Sequence, residues 1–261
     1  MTCGAVILAA HGSDRDDRVN AQVFALADRV EATGRFATVV PALFRGRPHY
    51  STVLDELNRS PVIVVPYMTS NGYYCSEVLP RELARNQCFA ETRVCITSPV
   101  GVHPKMTSMA KRRVVALAAE YGIALERASI LVVGHGTRRH PQSRDATISL
   151  ARSLSRRLDV IESLPCFLDD QPGIRDAHAA AAGQDIIAIV FLLTDGVHAR
   201  RDVLAELSLV ISEHHGPPYT GCVGGRRIVC DAPIGMIPGV TRLIVDIASE
   251  TSTVESTHEH P

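Results

Sequence analysis

The chain has 261 residues, of which 46% are hydrophobic and 21% charged, enough apolar material for one large domain or two smaller ones without disulfide or metal staples. Twenty-seven basic residues against twenty-eight acidic ones leave a formal charge of −1, which removes any global electrostatic case for nucleic acid or a membrane surface as partner. The longest apolar run, Ile186–Leu193, falls far short of the roughly twenty residues a spanning helix needs. The run Ala5–Ala10 has no basic residue ahead of it, which makes it a poor signal peptide. The seven cysteines are scattered and contain no C-x-x-C pair. They read as the reduced thiols of a cytoplasmic protein.

In chain order, short runs rich in Val and Ile predict buried parallel strands at Ala5–Ala9, Thr38–Val40, Val62–Val65 and Val94–Ile96. Between the first two, Val19, Val23, Leu26, Ala27 and Val30 fall on one helical stripe. A helix over Lys105–Tyr121 and a short loop at 122–128 follow, with no Gly/Ser linker. Four more strands are predicted at Ile130–Val133, Asp159–Ile161, Ile186–Leu193 and Ile228–Val229, with a helix carrying Val203, Leu204, Leu207, Val210 and Ile211. The last segment, 251–261, lacks periodicity and reads as a disordered tail.

The second series of strands echoes the first. Ala10-His11-Gly12-Ser13 matches Gly134-His135-Gly136-Thr137 at an offset of 124, which also pairs Leu43-Phe44 and Pro48 with Phe167-Leu168 and Pro172, and Ser70-Asn71-Gly72 with Thr194-Asp195-Gly196. Pro99-Val100-Gly101 matches Pro233-Ile234-Gly235 at an offset of 134, so about ten residues are added in copy two, at 214–225. The expected organisation is an α/β fold with internal duplication. Copies at 1–124 and 125–250 would each be a four-stranded parallel sheet with helices on both faces.

Ligands in such folds bind beyond the carboxyl ends of the strands. There the first strand of each copy is followed by His11 or His135, with a glycine behind to turn the backbone. Ser13 and Thr137 come next and are expected to cap the following helices. The third strand of copy two leads into Thr194-Asp195-Gly196-Val197-His198, with Arg200, Arg201 and Asp202 close behind. First and third strands are commonly neighbours, so His135 and His198 are expected to converge. Two imidazoles suit a divalent cobalt, nickel, iron or zinc ion, or proton transfer near neutral pH. Arg138, Arg139, Arg200 and Arg201 beside them point to a polyanionic ligand. The chain lacks G-x-S-x-G and the P-loop, and Arg139 stands at the third glycine position of a dinucleotide fingerprint.

The H-G-[ST] block after the first strand, joined to the G-V-H-x-R-x-D block after the third, resembles the class II chelatases, and among them the sirohydrochlorin cobaltochelatases and ferrochelatases. The resemblance spans both copies, about residues 4–248, and the long members of that group are likewise duplicated flavodoxin-like halves. It implies insertion of cobalt or iron, or nickel in related members, into sirohydrochlorin for cobalamin or siroheme synthesis. Substrate would lie between the halves, with no organic cofactor. It also implies that His135 and His198 hold the metal and accept protons and that Asp202 orients His198. Arg138, Arg139, Arg200 and Arg201 would meet substrate carboxylates. Copy one departs from the pattern by placing Tyr74 where copy two has His198, so His11 and Tyr74 are expected to line the pocket without carrying the chemistry. The duplication makes a monomer sufficient. The rival readings are a metal or tetrapyrrole carrier, a paralogue acting on another metallophore, and a histidine-dependent phosphoryl transferase.

Overall fold

Strands buried on both faces form where the apolar runs are densest. The computed structural model describes residues 3–57, 61–137, 141–196, 198–210 and 216–256, with the side chains of all but Cys3, His198, Ala199 and 252–256. Its chain divides into two compact units, residues 1–103 with 238–261, and residues 104–237.

In the first unit β1 (Cys3–Gly12), β2 (Phe36–Arg45), β3 (Val62–Pro66) and β4 (Val94–Ile96) form a parallel sheet in the order β2-β1-β3-β4. Ala5 through Ala10 are all buried, as a central strand covered on both sides requires. Pro41 sits in β2, an edge strand, where its missing N–H costs no ladder bond. Helix α1 (Asp17–Glu31) buries Val23, Leu26, Ala27 and Val30, the predicted stripe without Val19. Its cap is Asp16, whose carboxylate accepts the Arg18 N–H. Ser13, expected to cap, instead accepts the N–H groups of Arg15 and Asp16 and shapes the turn ahead of the helix. After β3 come a π-helical turn at Tyr74–Val78 and α2 (Leu79–Leu83).

The second unit repeats this plan with β5 (Ala128–Gly134), α4 (Pro141–Arg157), β6 (Glu162–Phe167), α5 (Ile174–Ala180) and β7 (Asp185–Val190). A second π-helical turn, His198–Asp202, runs into the four-residue α6 (Val203–Glu206). The longer helix expected there is not formed. Val210 is 87% exposed, and Ile211 lies outside the described residues. The strand expected at Asp159–Ile161 begins instead at Glu162, with Ile161 exposed at the turn into it. The added residues of copy two supply a fifth strand. β8 (Tyr219–Val223) runs antiparallel to β9 (Arg226–Pro233) through a Gly224-Gly225 turn with both glycines at positive φ. The sheet order is therefore β6-β5-β7-β9-β8, five strands where four were expected.

The units and the sequence copies divide the chain at different places because the last helix of each copy is exchanged. Helix α3 (Pro104–Tyr121), at the end of copy one, packs on α4 and β7, while α7 (Val240–Ser256), at the end of copy two, packs on α1, β1 and β3. Met106, Met109, Val114 and Leu117 bury one helix, and Val240, Leu243, Ile244 and Ile247 the other. Arg113 of α3 also donates two hydrogen bonds of 2.7 Å to the Asp231 carboxylate of β9. Helix α7 continues to Ser256, so residues 251–256 of the expected disordered tail are helical; 257–261 lie outside the described residues.

One buried group should make the fold sensitive to acid. His178 of α5 is 8% exposed, and its Nε2 has no hydrogen-bond partner among the described residues. Burial lowers its pKa, with the Arg226 charge adding to the effect. Protons therefore bind the unfolded chain more readily, and this contribution to stability is complete above an ordinary histidine pKa of about 6.5 and fades as pH falls through it. The melting temperature is expected to drop between about pH 7.5 and 5.5 more steeply in the wild type than in His178→Leu. Parallel curves would remove His178 as the cause.

Candidate functional site

β1 lies between β2 and β3, and β5 between β6 and β7, so each unit has a topological switch point at the carboxyl ends of its first and third strands. The chain beyond the third strand stays tied to the first. Tyr67 N–H donates to the Ala9 carbonyl and Phe191 N–H to the Val133 carbonyl, each at 2.7 Å. Farther on, Gly101 N–H meets the Met68 carbonyl and Gly235 N–H that of Leu192. At Gly101 the approach is so close that a Cβ would lie 2.3 Å from the Thr69 carbonyl oxygen. The repeated Pro-Val-Gly and Pro-Ile-Gly blocks thus fix the loop after the third strand in both units.

Each switch point presents one histidine in one local geometry. His11 Nδ1 lies 3.0 Å from the Gly12 carbonyl oxygen, and His135 Nδ1 lies 3.1 Å from that of Gly136. A carbonyl only accepts, so Nδ1 carries the proton and Nε2 carries the ring's lone pair in the neutral form. The glycines turn the carbonyl back onto the ring at φ +70°, a conformation that disfavours side chains. A Cβ on Gly12 would also stand 2.5 Å from the Arg45 carbonyl, and one on Gly136 would stand 2.8 Å from the Asp170 Cβ.

In unit 1 the position facing the histidine is supplied by the π-helical turn. Tyr74 opens the first such turn, and its ring meets that of His11 edge-on, with centroids 4.4 Å apart. Phe44 completes the cluster, 5.3 Å from Tyr74 and 5.9 Å from His11. His198 opens the equivalent turn of unit 2 and Asp202 ends it. The side chain of His198 is outside the described residues, as are Arg138 and Arg139 entirely. The π turn, which resets the direction of side chains where a helix begins, was not legible from periodicity.

Beyond this shared frame, the charges differ. In unit 1, Gly12 pairs in register with Arg45, which bonds Asp14 at 2.8 Å and lies near the Tyr74 hydroxyl. Burial pushes the His11 pKa below its ordinary value; the Gly12 bond and Asp14 oppose this, while Arg45 adds to the lowering. In unit 2, the equivalent residue is Asp169. Its backbone N–H donates to the His135 carbonyl at 2.9 Å, and its Oδ2 lies 3.2 Å from His135 Nδ1. Neither Arg45 nor Asp169 stood out in the sequence, although the repeat offset of 124 aligns them with opposite charges.

A cavity of about 640 Å³ opens beside Asp169 in unit 2, lined by Asp170, Asp176, Asp202, Glu206 and Arg175 among others. The charged residues of its lining are acidic except for Arg175 and would attract a cation. Arg200 pairs with Asp195 at the rim of a smaller cavity of about 250 Å³, with Tyr219 and Asp231 in its lining, and Arg201 is exposed. Arg144, another of the basic residues after His135, is held by Asp170 and stacks over the Phe167 ring, 5.1 Å from its centroid. Among the described residues no three His, Cys, Asp or Glu side chains are grouped to hold a metal.

The CbiX family model matches the chain twice, over residues 5–117 and 129–251. A probable sirohydrochlorin cobaltochelatase of Halobacterium salinarum is 24% identical over 94% of this chain and 91% of its own. Among solved structures, CbiX, described as the terminal enzyme for biosynthesis of siroheme in denitrifying bacteria, superposes with a TM-score of 0.72 at 20% identity, covering 95% of this chain and 98% of that one. SirB from Bacillus subtilis with Fe3+ gives a TM-score of 0.75 at 17% identity, covering 98% of both chains.

Proposed function

The chain belongs to the CbiX family, and from this we propose that it is a chelatase that inserts a divalent metal, cobalt or iron and with nickel as a third candidate, into sirohydrochlorin or a related tetrapyrrole. The observation that carries the reading is the histidine at each first-strand end, held through Nδ1 so that Nε2 is the donor atom. In unit 2 this donor is His135, and the π turn that sets Tyr74 against His11 in unit 1 begins with His198 in unit 2.

Insertion requires the macrocycle to lose two pyrrole N–H protons as its nitrogens take over the metal. His135 and His198 hold the incoming ion by their imidazole nitrogens and receive the released protons once the ion has passed to the ring. Asp202, four residues beyond His198, orients that imidazole or passes protons outward. The acidic cavity draws the cation toward this end of unit 2. The substrate's carboxylates meet basic groups, of which Arg138, Arg139, Arg200 and Arg201 are the candidates. No organic cofactor enters the scheme, and the metal is a substrate.

Mixing the protein with sirohydrochlorin and Co2+, Fe2+ or Ni2+ and following the absorbance of the macrocycle tests the reading. Insertion faster than the spontaneous reaction is expected with at least one metal. Tight binding of metal and tetrapyrrole without acceleration would favour the carrier reading, which Tyr74 at the second position of unit 1 independently motivates. Because a phenol is a weaker metal ligand and proton acceptor than an imidazole, Tyr74→Phe should change the insertion rate by less than about threefold. A loss as large as that of a histidine variant would place the chemistry in unit 1.

A further inference from the structure

The two units share a fold, a histidine and the turn that holds it, yet they differ in the charge beside the imidazole. At one position of the repeat, two residues past the edge-strand residue that pairs with the residue ahead of the histidine (Leu43 with Ala10, Phe167 with Gly134), unit 1 carries Arg45 and unit 2 carries Asp169. The loop that delivers them is the same: Leu43 N–H bonds the Pro48 carbonyl at 2.8 Å, and Phe167 N–H bonds that of Pro172 at 3.0 Å. Asp169 is fixed to His135 twice, through its backbone N–H and through its carboxylate.

We propose that Asp169 is the positioning residue that makes His135 the divalent-ion donor of this chain, and that Arg45 at the equivalent place withholds that role from His11. The inference rests on the chelatase reading and deepens it by assigning the metal to one copy. A carboxylate on the far nitrogen of an imidazole anchors the ring and strengthens the ligating nitrogen, an effect that is generally about 10–100-fold in metal affinity. It also places a negative charge within reach of the dication. Arg45 does the reverse, since its positive charge acts on the His11 ring more strongly than the negative charge of Asp14, to which it is bonded, and so opposes a dication there. The Phe44 and Tyr74 rings against His11 further deny an ion its water and its counter-charge.

The test is calorimetric titration of the full-length, tetrapyrrole-free protein with Co2+ alone. Asp169→Asn keeps the shape and a hydrogen-bond acceptor while removing the charge, and the site is 60% exposed, so the variant should fold. It is expected to bind Co2+ about 10–100-fold more weakly, Asp169→Glu should recover most of the loss, and His11→Ala should bind as the wild type does. A purely structural role would not be rescued by glutamate and would appear in the circular dichroism. If His135→Ala loses affinity but Asp169→Asn does not, the role of Asp169 falls and the chelatase reading stands. If His135→Ala also binds Co2+ like the wild type, the assignment of the metal to His135 falls with the role of Asp169, and the chelatase reading is decided separately by the insertion assay. A His11→Ala variant as weak as His135→Ala would overturn the assignment to one copy.

Discussion

Alanine at His135 or at His198 should slow cobalt insertion into sirohydrochlorin by about 10²–10⁴-fold, the usual range for removing a positioned proton acceptor. Each replacement also takes away a metal-donor nitrogen, so the two variants should be nearly as impaired as the double variant, as is general for residues acting as a unit. Stability of the His135 variant should hardly change, because the His135 ring is half-exposed and its partner Asp169 more so. Steady-state rates with saturating Co2+, read beside urea unfolding, separate the two effects. A His135→Ala enzyme with more than about a tenth of wild-type activity would contradict the proposed chemistry.

The largest expected effect on stability lies at Arg113. Asp231 is 1% exposed in its side chain, and its carboxylate receives two hydrogen bonds from this guanidinium, whose pKa is raised by the pairing. Truncation to Arg113→Ala would leave a buried carboxylate without its counter-charge, at a cost of about 3–5 kcal/mol. Arg113→Lys, which keeps the charge but loses the two-pronged geometry, should cost less. Urea unfolding of the three proteins would show the order wild type, lysine, alanine. A loss below about 1 kcal/mol for the alanine variant would mean that water reaches Asp231 readily.

The duplication was the most legible feature of the sequence because both copies keep the residues whose backbone geometry cannot be met otherwise. Gly12 and Gly136 share a left-handed turn, and Pro41 and Pro165 occupy edge strands. The central strands were legible for a related reason, since burial on both faces leaves a continuous apolar run. The edge strand β6 was misplaced because its burial is partial and no such run exists. The fifth strand β8 alternates between half-buried and exposed residues, too weak a pattern to separate it from a loop. As for the site, the histidines could be read because glycines mark them, whereas Arg45 and Asp169 could not be read from either copy alone. Their meaning lies in which nitrogen they approach, a fact of register and loop shape. The Arg113–Asp231 pair joins residues 118 positions apart, and nothing local in the sequence announces it.

The crossing of α3 and α7 has a bearing on how the gene can change. After duplication, deleting either half would strip the surviving sheet of the helix that shields it and leave an orphan helix with an apolar side facing water. Neither copy can therefore be discarded when its histidine loses its task. This gives a physical reason why a copy with tyrosine in place of the second imidazole persists, free to vary at the rim while its scaffold stays indispensable.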